Sequence, residues 1–379
     1  MKNGKLSVAL VGLGFGGAFV GIYKAHPDVG AVYICDKDPS LHAHFLDNGL
    51  ADGTFGSLEE ILADDSVDAV HLVTPIPLHA QQTLAVLNAG KHCACTVPMA
   101  TSVEDLYRIA EAKKRSGKHY MMMETTLYTY QYLYAQRMLN TGEMGEVQFL
   151  RGSHYQDMEN WPPYWLGLPP MWYGTHAIAP MIGISSSRIS RVSCLGSGTM
   201  GAKYQAQYNN PFPVETAHFV FENGLKGEAT RSLFRTAREY QEGMFVYGSK
   251  ASFEWGFRDG DNPIITHLNP PVEGSRGGVT PSETMVMPNF LDDLPEELWR
   301  FTVGSNYDPL NPQKSLMVGA GAGHHGSHPH LVNEFVRSIV ENREPAINVA
   351  LGANITAAGL CAHASALQEG AWVAVPEIQ

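Results

Sequence analysis

The residues Gly12-Leu13-Gly14-Phe15-Gly16-Gly17 satisfy the spacing G-x-G-x-x-G, which lets backbone amides wrap a pyrophosphate. The first glycine permits a tight turn, the second lets phosphate oxygens approach the backbone, and the third lets a helix pack closely on a strand. The N-terminus of that helix adds amide donors and the positive end of its dipole. Asp36 stands 24 positions after Gly12. Its carboxylate suits a ribose 2′-hydroxyl and repels a 2′-phosphate, so the pattern favours NAD(H) over NADP(H). Lys37, beside it, is the contrary sign.

Other groups could move protons or bind anions. Four histidines fall in the seven residues His324-His325-Gly326-Ser327-His328-Pro329-His330. The only acid close by is Glu334 and no cysteine is near, so no metal site is expected; a loop carrying His325 or His328 toward a ligand is the reading instead. Trp161, Trp165 and Trp172 cluster with Tyr155, Tyr164 and Tyr173 in a Pro-rich stretch, either packing an irregular loop or forming a wall for an apolar ligand face. In an extended strand Arg231 and Arg235 share a face, and a bend would let Arg238 join them. Guanidinium forks bind sulfonate, phosphate or carboxylate bidentately, although solvated strand arginines are the commoner case.

The elements that position these residues follow from hydrophobic patterning. Leu6 to Gly12 is a short apolar, β-branched run, as expected of a parallel strand buried on both faces. Strands follow at Ala31 to Cys35, Ala69 to Val73, Lys91 to Thr96 and Tyr120 to Met123. Helices are expected after the glycine loop, around Leu58 to Ala63, at His79 to Ala89 and at Val103 to Lys114. This alternation is that of an α/β doubly wound parallel sheet, a Rossmann domain over residues 1–125. Beyond about Gly142 the pattern turns β-rich, at Val147 to His154, Arg191 to Gly196, Thr216 to Phe221, Gly227 to Phe234 and Met244 to Trp255. The expectation for 126–379 is an α+β domain with an open, mostly antiparallel sheet. Asn262 to Lys314 reads as long surface loops. His330 to Glu341 and Val349 to Gln368 read as closing helices that pack back toward the first domain.

Composition narrows the function. With 26 Lys+Arg against 38 Asp+Glu the formal charge is −12, which disfavours nucleic-acid and anionic-membrane partners. The five cysteines are scattered, without metal-type spacing, so neither a disulfide framework nor a zinc site is expected. Met1 to Lys5 lead into a short apolar run with no cleavage region, and no stretch of 18 apolar residues is evident. A cytoplasmic location is the expectation.

Several segments carry a family resemblance. Thr74-Pro75-Ile76-Pro77-Leu78-His79, Ala89-Gly90-Lys91-His92, the strand end Thr96-Val97-Pro98, and the later Glu334-Phe335-Val336-Arg337-Ser338-Ile339 with Glu344-Pro345 resemble the glucose-fructose oxidoreductase, inositol dehydrogenase and MocA (Gfo/Idh/MocA) family. The resemblance implies a Rossmann domain followed by an α+β domain, and a homo-oligomer, dimer or tetramer. It also implies an NAD site drawn from Gly12, Gly14, Phe15, Gly16, Gly17, Asp36, Lys37, Thr74, Pro75, Leu78, His79, Thr96, Val97, Pro98, Glu124 and Thr125.

Dehydrogenases of that family carry Glu-Lys-Pro where this chain has Thr96-Val97-Pro98, and valine cannot move a proton. The chain is more similar to NAD-dependent glycosidases of the same superfamily, which act on α-N-acetylgalactosaminides and sulfoquinovosides. Their Leu-Glu-Asn-x-x-Tyr is matched by Met123-Glu124-Thr125-Thr126-Leu127-Tyr128, their Tyr-Pro-Thr-His by Tyr173-Gly174-Thr175-His176, and their Gly-His-Gly-Gly by Gly323-His324-His325-Gly326. His154 replaces a substrate-binding tyrosine. The resemblance implies transient oxidation at C3 of a sugar, with His176 as acid/base and Tyr128 and Tyr173 as companions. A free imidazole titrates at about 6.5, suited to taking and returning a proton. His154, Trp172, Thr175, Arg235, Arg238 and His325 are the candidate substrate contacts, with a sulfoquinovoside or another anionic sugar as the substrate class. The alternatives are a net sugar dehydrogenase acting at C3 and a non-catalytic NAD-binding regulatory protein.

Overall fold

In the computed structural model, which describes residues 4–258, 260–302 and 323–379, the chain forms two compact units. Unit 1 comprises Met1–Thr129, Asn289–Ala353 and Ile378–Gln379; unit 2 comprises Tyr130–Pro288 and Asn354–Glu377. The division falls four residues beyond the expected 125/126 boundary, and a long C-terminal stretch belongs with the first unit.

Unit 1 is a parallel sheet of six strands, β1 (Leu6–Val11), β2 (Val29–Cys35), β3 (Gly53–Thr54), β4 (Ala69–Leu72), β5 (His92–Cys95) and β6 (Tyr120–Met122), in the order β3-β2-β1-β4-β5-β6. Strand order reverses between β1 and β4, and in such sheets the crevice at the carboxyl ends of those strands is where ligands bind. Five helices connect the strands: α1 (Gly17–Ala25), α2 (Ser40–Asp47), α3 (Leu58–Ala63), α4 (His79–Asn88) and α5 (Val103–Ser116). α5 shows how sequence sets an element's limits. Ser102 Oγ accepts the Asp105 amide at its start, acids occupy the first turn and bases the last, and Gly117 closes it at φ 64°, each favourable for a helix end.

The core of unit 1 includes unexpected histidines. His71 of β4 is fully buried, 3.2 Å from the Tyr23 hydroxyl, with the Phe19 ring 4.9 Å away. Burial pushes its pKa down to about 3, so it is a neutral core side chain. The helix Gly323–Val340 is held by a 2.8 Å Arg337–Asp28 ion pair and a 3.1 Å His26–Asn333 contact.

Unit 2 is a nine-stranded sheet of β7 (Val147–Tyr155), β8 (Ile189–Ser197), β9 (Val214–Phe221), β10 (Lys226–Ser232), β11 (Gln241–Gly248), β12 (Ala251–Glu254), β13 (Ile264–His267), β14 (Ser282–Thr284) and β15 (Val373–Ala374). Its order is β14-β13-β12-β11-β7-β10-β9-β8-β15, antiparallel throughout except for the parallel pair β7–β10. Met244 to Trp255, read as one segment, is two strands joined by a turn at Ser249 and Lys250. The stretch from Asn262 holds β13, β14 and short 3-10 helices at Leu291–Asp293 and Glu296–Phe301; the rest of that expected loop, 303–314, lies outside the described residues. Helices α6 (Tyr130–Asn140) and α7 (Thr175–Ser185) were also unexpected. α7 contains Pro180 and is buried through nearly its whole length, so it shows neither a polar face nor an uninterrupted helical pattern to read.

The helix Val349–Ala366 is long and apolar enough to cross a membrane, with a hydropathy of 1.2, contrary to the expectation that no such stretch occurs. Its window is 83% buried inside the protein, as the core helices of globular proteins are.

Gly152 of β7 sets the seat of α7 on the sheet. A Cβ there would collide with the Ala177 carbonyl oxygen, so only glycine allows the helix to lie this close. Gly152→Ala should therefore destabilise the protein by about 1–3 kcal/mol, measured by urea unfolding; an unchanged midpoint would mean that α7 is free to shift.

Candidate functional site

In unit 1 the glycine loop has two crowded positions and one open one. Gly12 has φ 94°, and a Cβ on it would meet the Val73 carbonyl; a Cβ on Gly16 would meet the Gly12 carbonyl and lie 3.1 Å from Val73 Cβ. Gly16, one residue before α1 begins, is thus a close-packed position of the loop. A Cβ on Gly14 would have nothing within 4 Å, leaving the backbone bare where phosphate oxygens need to approach. Asp36 Oδ2 accepts the Leu13 amide at 2.6 Å, and Oδ1 accepts the Asp38 amide at 2.8 Å. The carboxylate thus anchors the loop from the end of β2 and still has lone pairs for a ribose hydroxyl.

A cavity of about 440 Å³ opens at the strand ends, lined among others by Gly12, Asp36, Lys37, Thr74, Pro75 and Leu78. These residues fit a dinucleotide: bare backbone at a helix N-terminus, an acid beside it, and an apolar-walled space at the strand-order reversal. Thr74 Oγ1 donates to Gln82 Oε1 at 2.5 Å, and Phe15 is exposed beside the loop. Thr96, Val97 and Pro98 follow β5, with Val97 buried. His79 is buried with its ring nitrogens on backbone carbonyls, so it supports the neighbouring turns. Glu124 is fully buried and accepts both the amide and the hydroxyl of Thr126, at 3.0 and 2.8 Å. Thr125 is buried next to it, and Tyr128 stacks on His330 with ring centres 6.4 Å apart.

In unit 2 the strand register brings four polar side chains into one row. Glu215 of β9 is paired with Arg231 of β10, Arg231 with His154 of β7, and His154 with Glu242 of β11. Directly paired residues point to the same face, and all four are buried. Arg231 donates to the carbonyls of Tyr173 (2.9 Å), His154 (3.1 Å) and Ser232 (2.6 Å), and to Gln156 Oε1 (3.2 Å). Desolvation pulls its pKa down to about 10, against the opposing pull of Tyr173, Tyr240 and Glu242. Glu215 accepts the Met171 amide at 2.7 Å and lies 2.6 Å from His363 Nδ1, which fixes the turn Pro170–Tyr173 that leads into α7.

His176, in the first turn of α7, meets this row. Its ring lies 5.0 Å from that of His154 and 5.4 Å from that of Tyr173, with Nε2 3.4 Å from the Tyr173 hydroxyl. Tyr240 closes the group, its ring 5.4 Å from His154 and its hydroxyl donating to Glu242 Oε1 at 2.6 Å. Burial and then the Glu242 carboxylate push the Tyr240 phenol well above its ordinary pKa, keeping its proton on. Imidazole and phenol, the side chains that general acid–base chemistry uses, thus stand together. Sequence reasoning singled out His154, Tyr173 and His176; it missed Glu215 and Glu242, which only strand register brings into line, and Tyr240 and Gln156, which flank the strands β11 and β7.

The remaining candidates are spread over both units. Thr175 is buried beside His176, and Trp172 packs edge-on against Tyr208 and His363. Trp161, Tyr164 and Trp165 pack on one another, and Trp165 meets Tyr173 at 4.7 Å, so that cluster steadies the Tyr173 loop. The three arginines have separate surroundings. β10 ends at Ser232, and Arg235 follows in a left-handed conformation, half exposed, 4.0 Å from Glu159. Arg238 lies over Phe257 and Tyr155. His325 is left-handed with φ 52°, and His328, expected in a loop reaching a ligand, is buried in unit 1 against Phe19 at 4.5 Å. Among the described residues no group of three or more His, Cys, Asp or Glu is placed to hold a metal ion.

Comparison with known proteins agrees with the first of these sites. Residues 6–124 match the GFO_IDH_MocA family, described as an oxidoreductase family with an NAD-binding Rossmann fold. A "Glycosyl hydrolase family 109 protein" of Saccharopolyspora erythraea is 23% identical over 60% of this chain and 55% of its own length. A protein of the same name from Streptomyces niveus is 22% identical over 73% of this chain and 68% of its own. The chain thus spans about half the length of the first of these relatives. A solved levoglucosan dehydrogenase, in complex with NADH and levoglucosan, shares the fold with a TM-score of 0.77 at 20% identity, covering 98% of this chain and 100% of that one.

The open position at Gly14 yields a test of the cofactor cradle. Gly14→Ala should leave the unfolding midpoint unchanged, since its methyl meets no protein atom, yet weaken NAD binding at least tenfold, about 1.4 kcal/mol, in a fluorescence titration.

Proposed function

Because residues 6–124 match the Gfo/Idh/MocA family, described as NAD-binding oxidoreductases, we propose that the protein is an NAD-dependent glycosidase that oxidises a sugar transiently at C3, eliminates the C1 substituent, adds water and restores the hydroxyl. NAD supplies the hydride acceptor and returns the hydride, so each turnover is redox-neutral. The observation that carries this reading is the His154–Tyr173–His176–Tyr240 group in unit 2, in a chain whose β5 turn offers Val97 in place of a lysine. With C3 at the ketone level the C2 proton is acidic, and His176 Nε2 takes it and later gives it back. The Tyr173 hydroxyl, 3.4 Å from that nitrogen, positions the ring and the sugar hydroxyl. Tyr240, kept protonated by burial with its proton on Glu242, accepts from a sugar hydroxyl.

The donors of Arg231 are taken by the chain itself, so recognition of a sulfonated or other anionic sugar would rest on Arg235 and Arg238. A cytoplasmic homo-oligomer is part of the same proposal, supported for the compartment by five buried free thiols. The net sugar dehydrogenase is the second reading, favoured by the NAD site alone.

Purified protein supplied with NAD and an aryl glycoside panel should release aglycone without accumulating NADH. Stoichiometric NADH without release would establish the dehydrogenase instead. His176→Ala should lower turnover by about 10²–10⁴-fold; full retained activity would remove His176 from the mechanism.

A further inference from the structure

His79 opens α4 and is 1% exposed. Its Nδ1 lies 2.8 Å from the Pro98 carbonyl oxygen, and its Nε2 lies 2.8 Å from the Thr74 carbonyl oxygen. Carbonyl oxygens only accept, whereas a neutral imidazole has one N–H and one lone pair. A neutral ring would set its lone pair against one of these oxygens. Only the imidazolium makes both bonds, and bonds from a charged donor are roughly twice as strong as neutral ones. The two carbonyls belong to the turns after β4 and after β5, and the first of these lines the cavity through Thr74, Pro75 and Leu78.

We propose that His79 is a positioning residue held as an imidazolium, clamping the β4 turn to the β5 turn, and that NAD affinity depends on this charge. The ring also has a place to go when it loses the Nε2 proton. Thr96 Oγ1 lies 3.4 Å from Nε2 and 3.3 Å from the Leu72 carbonyl. Once Nε2 is a lone pair, this hydroxyl donates to it and the Thr74 carbonyl is released, loosening the cavity wall. The titratable group facing the ring is Cys95 of β5; Thr74, Thr96 and Pro98, its other neighbours, do not titrate. Burial works against the charge, but Cys95 beside the ring and the two carbonyl acceptors outweigh it and lift the pKa to about 9. The protonated ring is the clamping form, so affinity is full below that pH and is lost as pH rises through it.

The inference concerns cofactor binding and stands apart from the sugar chemistry. NAD dissociation constants of wild type and His79→Gln, measured from pH 6.5 to 10 by fluorescence titration, test it. Wild type should bind constantly up to about pH 8 and then weaken through the pKa, levelling off about tenfold weaker, near the affinity of His79→Gln. His79→Gln, whose side chain cannot donate to both turns, should bind about tenfold more weakly at pH 7 and lack that alkaline limb. In ¹⁵N-histidine NMR of the wild type, both His79 ring nitrogens should carry protons at pH 7, and NAD should raise the pH at which one is lost. A singly protonated ring at pH 7, or identical pH profiles for the two proteins, would overturn the proposal. The NMR measurement decides it even if the variant fails to fold.

Discussion

Arg231 brings a charge into the buried centre of the nine-stranded sheet, and much of unit 2 is arranged to satisfy it. Leaving an ion of this size unpaired in a protein interior costs several kcal/mol. Three backbone carbonyls and the Gln156 amide oxygen surround it instead. They come from β7, from β10 itself and from the turn before α7, so the same contacts that solvate the guanidinium fix the distances among those three pieces. Glu215 on one side and His154 with Glu242 on the other extend the row. A hydrogen bond to a charged group is worth about 1.5–3 kcal/mol, enough to make this arrangement costly to rearrange.

The His154–Tyr173–His176 group inherits its precision from that row. His154 sits within it, Tyr173 is tethered by its carbonyl to Arg231, and the turn carrying Tyr173 is held again by Glu215 through the Met171 amide. His176 follows three residues later on α7, which lies close to the sheet because Gly152 has no side chain. Gly152 and His154 are two residues apart on one strand and so share a face. One face therefore supplies both the gap that admits the helix and the imidazole that the helix brings His176 to meet.

Unit 1 solves a different problem by different means. Its ligand is an anion, and the loop presents backbone amides in place of cationic side chains. Crowding at Gly12 and Gly16 sets the loop's shape, openness at Gly14 leaves room for phosphate, and Asp36 pins the loop to β2. The β5 turn carries Val97, buried and without a group able to move a proton.

How much of this was legible in the sequence follows from range. Parallel strands buried on both faces are continuous apolar runs, and the glycine loop with Asp36 is a local signal, so five of the six strands and the loop could be read directly, while the two-residue β3 leaves no such run. Quoted motifs also located Tyr173 and His176. Glu242 and Glu215 could not be found that way, because alternation along a strand reveals which residues share a face but not which strand lies beside which, and Tyr240 reaches them from the residue just before β11. The arginines show the same limit: Arg231, Arg235 and Arg238 are close in sequence, yet a strand end and a left-handed residue give each its own surroundings. Local backbone geometry determined the cofactor cradle, while the long-range register of β9, β10, β7 and β11, held by the cost of burying a charge, decided which side chains meet at the second site.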